Sequence, residues 1–366
     1  MIQTKKNQQA SKSKQSQDEV EATLLAQLRD LGDGITETGP VDTILEEKLH
    51  SETAKAVKII DETLTLAEDI FAKFKKNQEI KIDPIVKVTR DMLSSFSRDQ
   101  EALTSLAMLK NKDNHSFTHS VNVSIYLIAL AKQMNFSEKD QAWLGIGGLL
   151  QDIGLAKVPK DILLKKGKLA ANERKFMQLH VDFGMHSIKN MPNVSPLVKN
   201  ILTQHHERLD GTGYPNQLKG FKISKEGKMA AIVDSFDAIT SQRSYRNQQE
   251  NHVAFKAIMQ LCKDKYDKGV FQHFIKSVGV FPVGSTIKLA NGTVCVVLRN
   301  HIVDLLHPIV RPVLSKSGAK LEREAPLDLM LSKDDKTLSI VDHVSPKTID
   351  IDPLDFLPNA AAYKRT

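Results

Sequence analysis

Half of the twelve histidines of this 366-residue chain lie between residues 115 and 206, interleaved with aspartates. In order the candidates are His115, His119, Asp152, His180, His186, His205, His206 and Asp234. A lone histidine is more often a satisfied core or surface residue than a ligand. Consecutive His205-His206 with acidic partners is harder to read that way. Imidazoles and carboxylates gathered from neighbouring helices are the donor set of a two-metal hydrolase. A carboxylate bridges the ions, imidazoles hold each one, and the pair acidifies water and clamps phosphate oxygens. His115 precedes His119 by four residues, so on one continuous helix the two share a face, as in other His-x3-His sites. The competing reading starts that helix at Ser116 and leaves His115 in solvent. Asp237 follows Asp234 by about one turn, placed either to orient a ligand or to serve as a surface acid.

The elements that must position these residues are mostly helical. Residues 1–18 are Gln, Ser and Lys with almost no apolar anchor and read as a disordered tail. A short amphipathic helix is expected from Glu19 to Leu31, and a long one from Asp42 to Lys76. In the long helix Leu45, Leu49, Ala56, Ile60, Leu64, Ala67, Phe71 and Phe74 recur at helical spacing. It is either a dimerising rod, which implies a homodimer, or a helix packed on its own body. Asp83-Pro84 opens a further helix, and helical patterns continue to about residue 276. The texture changes at Val278. Strand-like runs at 286–290 and 293–298 flank Asn291-Gly292, a two-residue hairpin signal, and a third run covers 309–314. The expected division is a tail (1–18), an N-terminal helical region (19–82), the histidine-bearing helical domain (83–278) and a small β-rich extension (279–366).

Composition narrows the class. The hydrophobic and charged fractions, 41% and 26%, are those of a globular protein. Cys262 and Cys295 stand alone, which predicts two buried thiols rather than a disulfide framework. No secretory signal or membrane-length apolar run is visible, so the chain is expected to be soluble and cytoplasmic. A net charge of +7 favours anionic partners; spread along the sequence, it is weak evidence for nucleic acid, which is not expected, and fits a small phosphorylated ligand equally well.

The residues around the candidates resemble a known family. The segment HHERLDGTGYP (205–215) is similar to the HHE-x-x-DGxGYP signature of the HD-GYP family, the cyclic di-GMP phosphodiesterases of the HD superfamily. SFTHSVNVS (116–124), GGLLQDIGLAKVPKDILLKKGKL (147–169), QLHVDFG (178–184) and AIVDSFDAITSQRSYR (231–246) resemble its other motifs in order and spacing. VFPVGSTIKLANG (280–292) looks like the β extension of many members. The resemblance implies a mainly α fold: an HD-type helical bundle with an N-terminal helical region and a small C-terminal β-rich extension. It implies a first metal on His119, Asp152 and Asp234, and a second on Asp152, His180, His205 and His206. Asp152 bridges the two and is the catalytic carboxylate, with Asp237 supporting it. One or two divalent transition metals, iron or manganese, are the implied cofactors. Lys165, Arg243 and Arg246 meet ligand phosphates, and the turn Gly213-Tyr214-Pro215 turns its tyrosine to the ligand's base or sugar.

Two positions depart from the family pattern. Its His-Asp pair is Gln151-Asp152 here, and the lysine that usually follows is Leu155. Gln151 lacks the imidazole lone pair and charge that suit a transition metal, and Leu155 removes a cation. The implied function is hydrolysis of cyclic di-GMP at reduced or lost rate. The alternative is a degenerate module that binds the dinucleotide or signalling-protein partners without turnover.

Overall fold

The computed structural model describes residues 43–357 except 110–114, 190, 192, 242–249, 302 and 323, and the side chains of 43–51, 115 and 116. The expected tail and the 19–31 helix lie outside these residues. The first helix described, α1 (Thr43–Lys75), is the long one anticipated from periodicity. Ala56, Ile60, Ala67, Phe71 and Phe74 are buried along one stripe, and the helix packs on α2 (Ile82–Arg98), α3 (Ala102–Leu109) and α4 (His115–Gln133). That stripe therefore faces the chain's own body. Asp83 and Pro84 fall in the first turn of α2, where a missing N–H costs nothing.

Helix α4 is the axis of the molecule. From Val121 to Ala131 it is buried on every side, as its run of apolar residues requires. It lies along α5 (Glu138–Leu150), whose Ser137 cap accepts from the Asp140 amide. Close approach is possible because Gly148 carries no side chain: a Cβ there would sit 2.8 Å from the Ser124 backbone. Short segments follow: a 3-10 turn (Ile153–Lys157), α6 (Lys160–Leu163), α7 (Ala171–Gln178), α8 (His180–Ile188) and α9 (Pro196–Gln204). Gly154 lies so close to the carbonyl of His180 that any side chain would collide with it. Helices α10 (Lys225–Thr240), α11 (Asn251–Leu261) and α12 (Lys268–Val278) close the bundle. Tyr126, Phe236, Phe255 and Phe274 form its aromatic centre, with Phe236 and Phe274 centroids 5.0 Å apart.

Beyond α12 the chain forms an antiparallel sheet in the order β4-β3-β2-β1-β5. Its strands are β1 (Thr286–Leu289), β2 (Val294–Arg299), β3 (Ile309–Leu314), β4 (Leu327–Asp328) and β5 (Ile340–His343). The Asn291-Gly292 hairpin has a three-residue loop rather than two. Leu289 and Thr293 are joined by a backbone hydrogen bond of 2.9 Å, and Gly292 takes φ +91°. A glycine at that last position supplies the one positive φ such a loop requires. Cys295 is buried as anticipated, but Cys262 is only half-buried; both are free thiols. Among the described residues no helix is long and apolar enough to cross a membrane.

Candidate metal centre

Six of the anticipated residues converge where the ends of α5, α8 and α9 meet α4 and α10. Asp152 stands at the centre, just past the C-terminus of α5. Its Oδ2 lies 3.4 Å from His119 Nε2 on α4, and its Oδ1 lies 3.4 Å from His180 Nε2 and 3.6 Å from His205 Nε2. Asp234 on α10 puts Oδ1 3.1 Å from His119 Nε2 and Oδ2 3.8 Å from His206 Nδ1. Two groups able to hold an ion result: His119, Asp152 and Asp234, and Asp152, His180, His205 and His206. Each oxygen of Asp152 serves a different group.

The histidine tautomers follow from their other contacts. His180 Nδ1 is 2.7 Å from the Met177 carbonyl, and His205 Nδ1 is 3.0 and 3.1 Å from those of Ile201 and Leu202. His119 Nδ1 is 2.6 Å from Asp237 Oδ2. Each Nδ1–H therefore donates to a fixed acceptor, and all three Nε2 atoms turn inward on carboxylate oxygens. His180 and His205 bring their Nε2 atoms within 3.4 Å of one another. Such an arrangement needs positive charge between its members. Donors about 2.1 Å from a shared ion sit roughly 3–3.4 Å apart, so the donor set and its spacing fit divalent ions.

The charge states carry the same signature. Burial opposes ionisation of Asp152, yet hydrogen bonds to His119 and His205 hold it well below the usual carboxylate range. Burial likewise opposes protonation of His119, but Asp152, Asp234 and Asp237 outweigh it and raise its pKa. His205 is raised by Asp152 against its own burial. Burial, reinforced by His205, keeps His206 well below its ordinary value and therefore neutral.

Supporting residues complete the centre. Asp237 is fully buried, which excludes the surface-acid reading; it also accepts from Asn122 Nδ2 at 2.8 Å and Ser241 Oγ at 3.0 Å. Gln151 is fully buried too. Its Nε2 donates to Asp234 Oδ1 at 3.2 Å, whereas its Oε1 has no partner. The turn at 213–215 folds over the second group: the Tyr214 and His206 rings are 4.6 Å apart. Glu207 anchors that turn, accepting from the amides of Asn216 at 2.7 Å and Leu218 at 2.9 Å. Gly213 presses against the backbone of Glu207 and Arg208, leaving no room for a Cβ.

Other candidates stand elsewhere. His186 is exposed near the end of α8, outside the cluster. Lys165 pairs with Glu173 at 2.6 Å. Arg243 and Arg246 lie outside the described residues. Among the described residues helix α4 includes His115, one residue before the alternative start at Ser116. Sequence reasoning passed over Asn122, although its place three residues after His119 was a usable signal. It also gave Glu207 no role and did not foresee the Gln151–Asp234 contact.

Residues 104–270 match the family model described as "HD domain". The chain is 35% identical to Cyclic di-GMP phosphodiesterase PA4108 of Pseudomonas aeruginosa over 269 residues, 73% of this chain and 64% of that protein. It is 35% identical to a Cyclic di-GMP phosphodiesterase of Thermotoga maritima over 179 residues, 48% of each chain. It is 36% identical to 3'3'-cGAMP-specific phosphodiesterase 2 of Vibrio cholerae over 158 residues, 43% of this chain and 30% of that one. The chain thus spans less than two thirds of each of these relatives. The stretch that matches the HD domain model contains all six residues of the cluster.

Proposed function

We propose that this chain hydrolyses the 3′–5′ phosphodiester of cyclic di-GMP, slowly, at a centre that holds up to two divalent metals. The observation that carries the reading is the set of three imidazoles whose Nδ1 atoms are fixed and whose Nε2 atoms converge on Asp152 and Asp234. The relatives named as cyclic di-GMP phosphodiesterases support the substrate. His119, Asp152 and Asp234 are the proposed ligands of one ion, and Asp152, His180, His205 and His206 those of the other. Bound there, the ions would supply Lewis-acid polarisation of phosphate oxygens and acidify water.

The chain's own residues do the rest. Asp152 joins the two sites, and Asp237 fixes the His119 ring so that Nε2 faces inward. Tyr214, against His206, offers an aromatic edge to a base or sugar. Lys165, Arg243 and Arg246 are the proposed phosphate contacts. The Lys165–Glu173 pair is partly exposed, and opening such a pair costs only about 0–1 kcal/mol. A binding module without turnover is the second reading, favoured by one feature: Gln151 brings no charge to the first group.

The test pairs metal content with turnover of cyclic di-GMP by the iron-loaded protein. Slow hydrolysis is expected, lost together with metal in Asp152→Asn. Gln151→His with Leu155→Lys should accelerate it at least tenfold, roughly 1.4 kcal/mol of barrier. Tight dinucleotide binding with no hydrolysis in either protein would decide for the binding module. Faster cleavage of 3′3′-cGAMP would move the substrate assignment.

A further inference from the structure

Gln151 has a use that the loss of a histidine does not explain. Its side chain is completely buried at the metal centre, with one end of the amide on Asp234 and the other without any partner. A stranded carbonyl oxygen in a buried polar cluster is costly. The two ends of an amide have the same shape, and turning one over exchanges donor for acceptor. Reversed, Gln151 would place its oxygen about where its nitrogen now lies, 3.2 Å from Asp234 Oδ1. That is the spacing already seen between Asp234 Oδ1 and His119 Nε2, 3.1 Å, and between Asp152 Oδ2 and His119 Nε2, 3.4 Å.

We propose that the Gln151 side-chain oxygen is the fourth protein donor of the first site, giving it one nitrogen and three oxygens. The second site keeps three imidazoles and one carboxylate oxygen. The two sites therefore prefer different elements. Carbonyl and carboxylate oxygens suit a hard ion, manganese(II) or magnesium, whereas an imidazole-rich set suits zinc or iron. Gln151 thus converts a pair of similar sites into a mixed-metal centre. This inference rests on the metal-centre reading above.

The experiment loads the full chain with one equivalent of zinc(II) and titrates manganese(II), following free manganese by electron paramagnetic resonance. One manganese per chain is expected beside the retained zinc. Gln151→Leu should raise the manganese Kd by about 10–100-fold with zinc content unchanged. Gln151→Glu, which keeps an oxygen, should bind manganese at least as tightly as the parent. Gln151→His should let a second zinc displace the manganese. Manganese affinity unaltered in Gln151→Leu overturns the proposal, as does an unshifted manganese-to-zinc preference in Gln151→His should the leucine variant not fold. Failure of the unmodified chain to take up the first zinc, or zinc held equally well after His205→Ala, would instead remove the metal-centre reading and this inference with it.

Discussion

His119 can offer Nε2 to the cluster because Asp237 holds its other nitrogen. Asp237 receives three donors, from His119, Asn122 and Ser241, and only a carboxylate accepts from all three without conflict. In Asp237→Asn one of these contacts becomes donor against donor, and the His119 ring is released to its other tautomer. Metal affinity of the first site should fall about 10–100-fold while the second site keeps its ion. Isothermal titration of variant and parent decides it: first-site affinity unchanged from the parent would show that Asp237 serves packing alone. The residues of the cluster were legible in the sequence because side-chain type and order limit the possibilities. Gln151 shows the limit of that reading. The sequence exposes a missing imidazole, but only three-dimensional placement shows the amide bonded to Asp234 at one end and stranded at the other.

At the level of elements, the loop between α9 and α10 depends on one buried carboxylate. Glu207 is 1% exposed, and its two oxygens take two backbone amides of the segment that follows Tyr214 and Pro215. Glu207→Gln turns an NH2 toward one of those amides and leaves it unpaired, a loss of about 1–3 kcal/mol for a buried group. Faster hydrogen exchange at Asn216 and Leu218 is expected, with weaker dinucleotide binding as Tyr214 loses its seat on His206. Unchanged exchange at both amides would refute the anchoring role. Periodicity and composition made much of this readable: α1 and β3 fall close to their anticipated bounds, and α2 opens at Ile82, beside the anticipated Asp83-Pro84 start. The edge strands β4 and β5 were not. Each is two to four residues long and exists through pairing with distant segments, so its own sequence carries little local signal.

Across the whole molecule, the helical bundle and the sheet meet at a partly buried junction on Glu101, just before α3. Its carboxylate accepts from the Asn300 backbone amide at 3.0 Å and from Asn300 Nδ2 at 2.8 Å, with Arg299 Nε 3.9 Å away. A quarter of the side chain remains exposed. Even so, loss of hydration pushes its pKa up to about 7, against the opposing pull of Asn300 and Arg299. The folded state therefore holds this proton more tightly than the unfolded chain, whose ordinary value is 4.5. Stability from this group is complete below pH 4.5, declines as the unfolded chain ionises first, and is lost once pH passes about 7. Asn300 Oδ1 is buried without a partner, and a protonated Glu101 can turn a donor toward it. Glu101→Gln supplies that donor at every pH. The difference in unfolding temperature between Glu101→Gln and the parent should be small at pH 5 and grow in favour of the variant up to pH 8. Comparing the two proteins cancels the titration of every other group. A difference that stays constant over this range would mean that Glu101 is ionised throughout and joins the two parts of the molecule as an ordinary ion pair with Arg299.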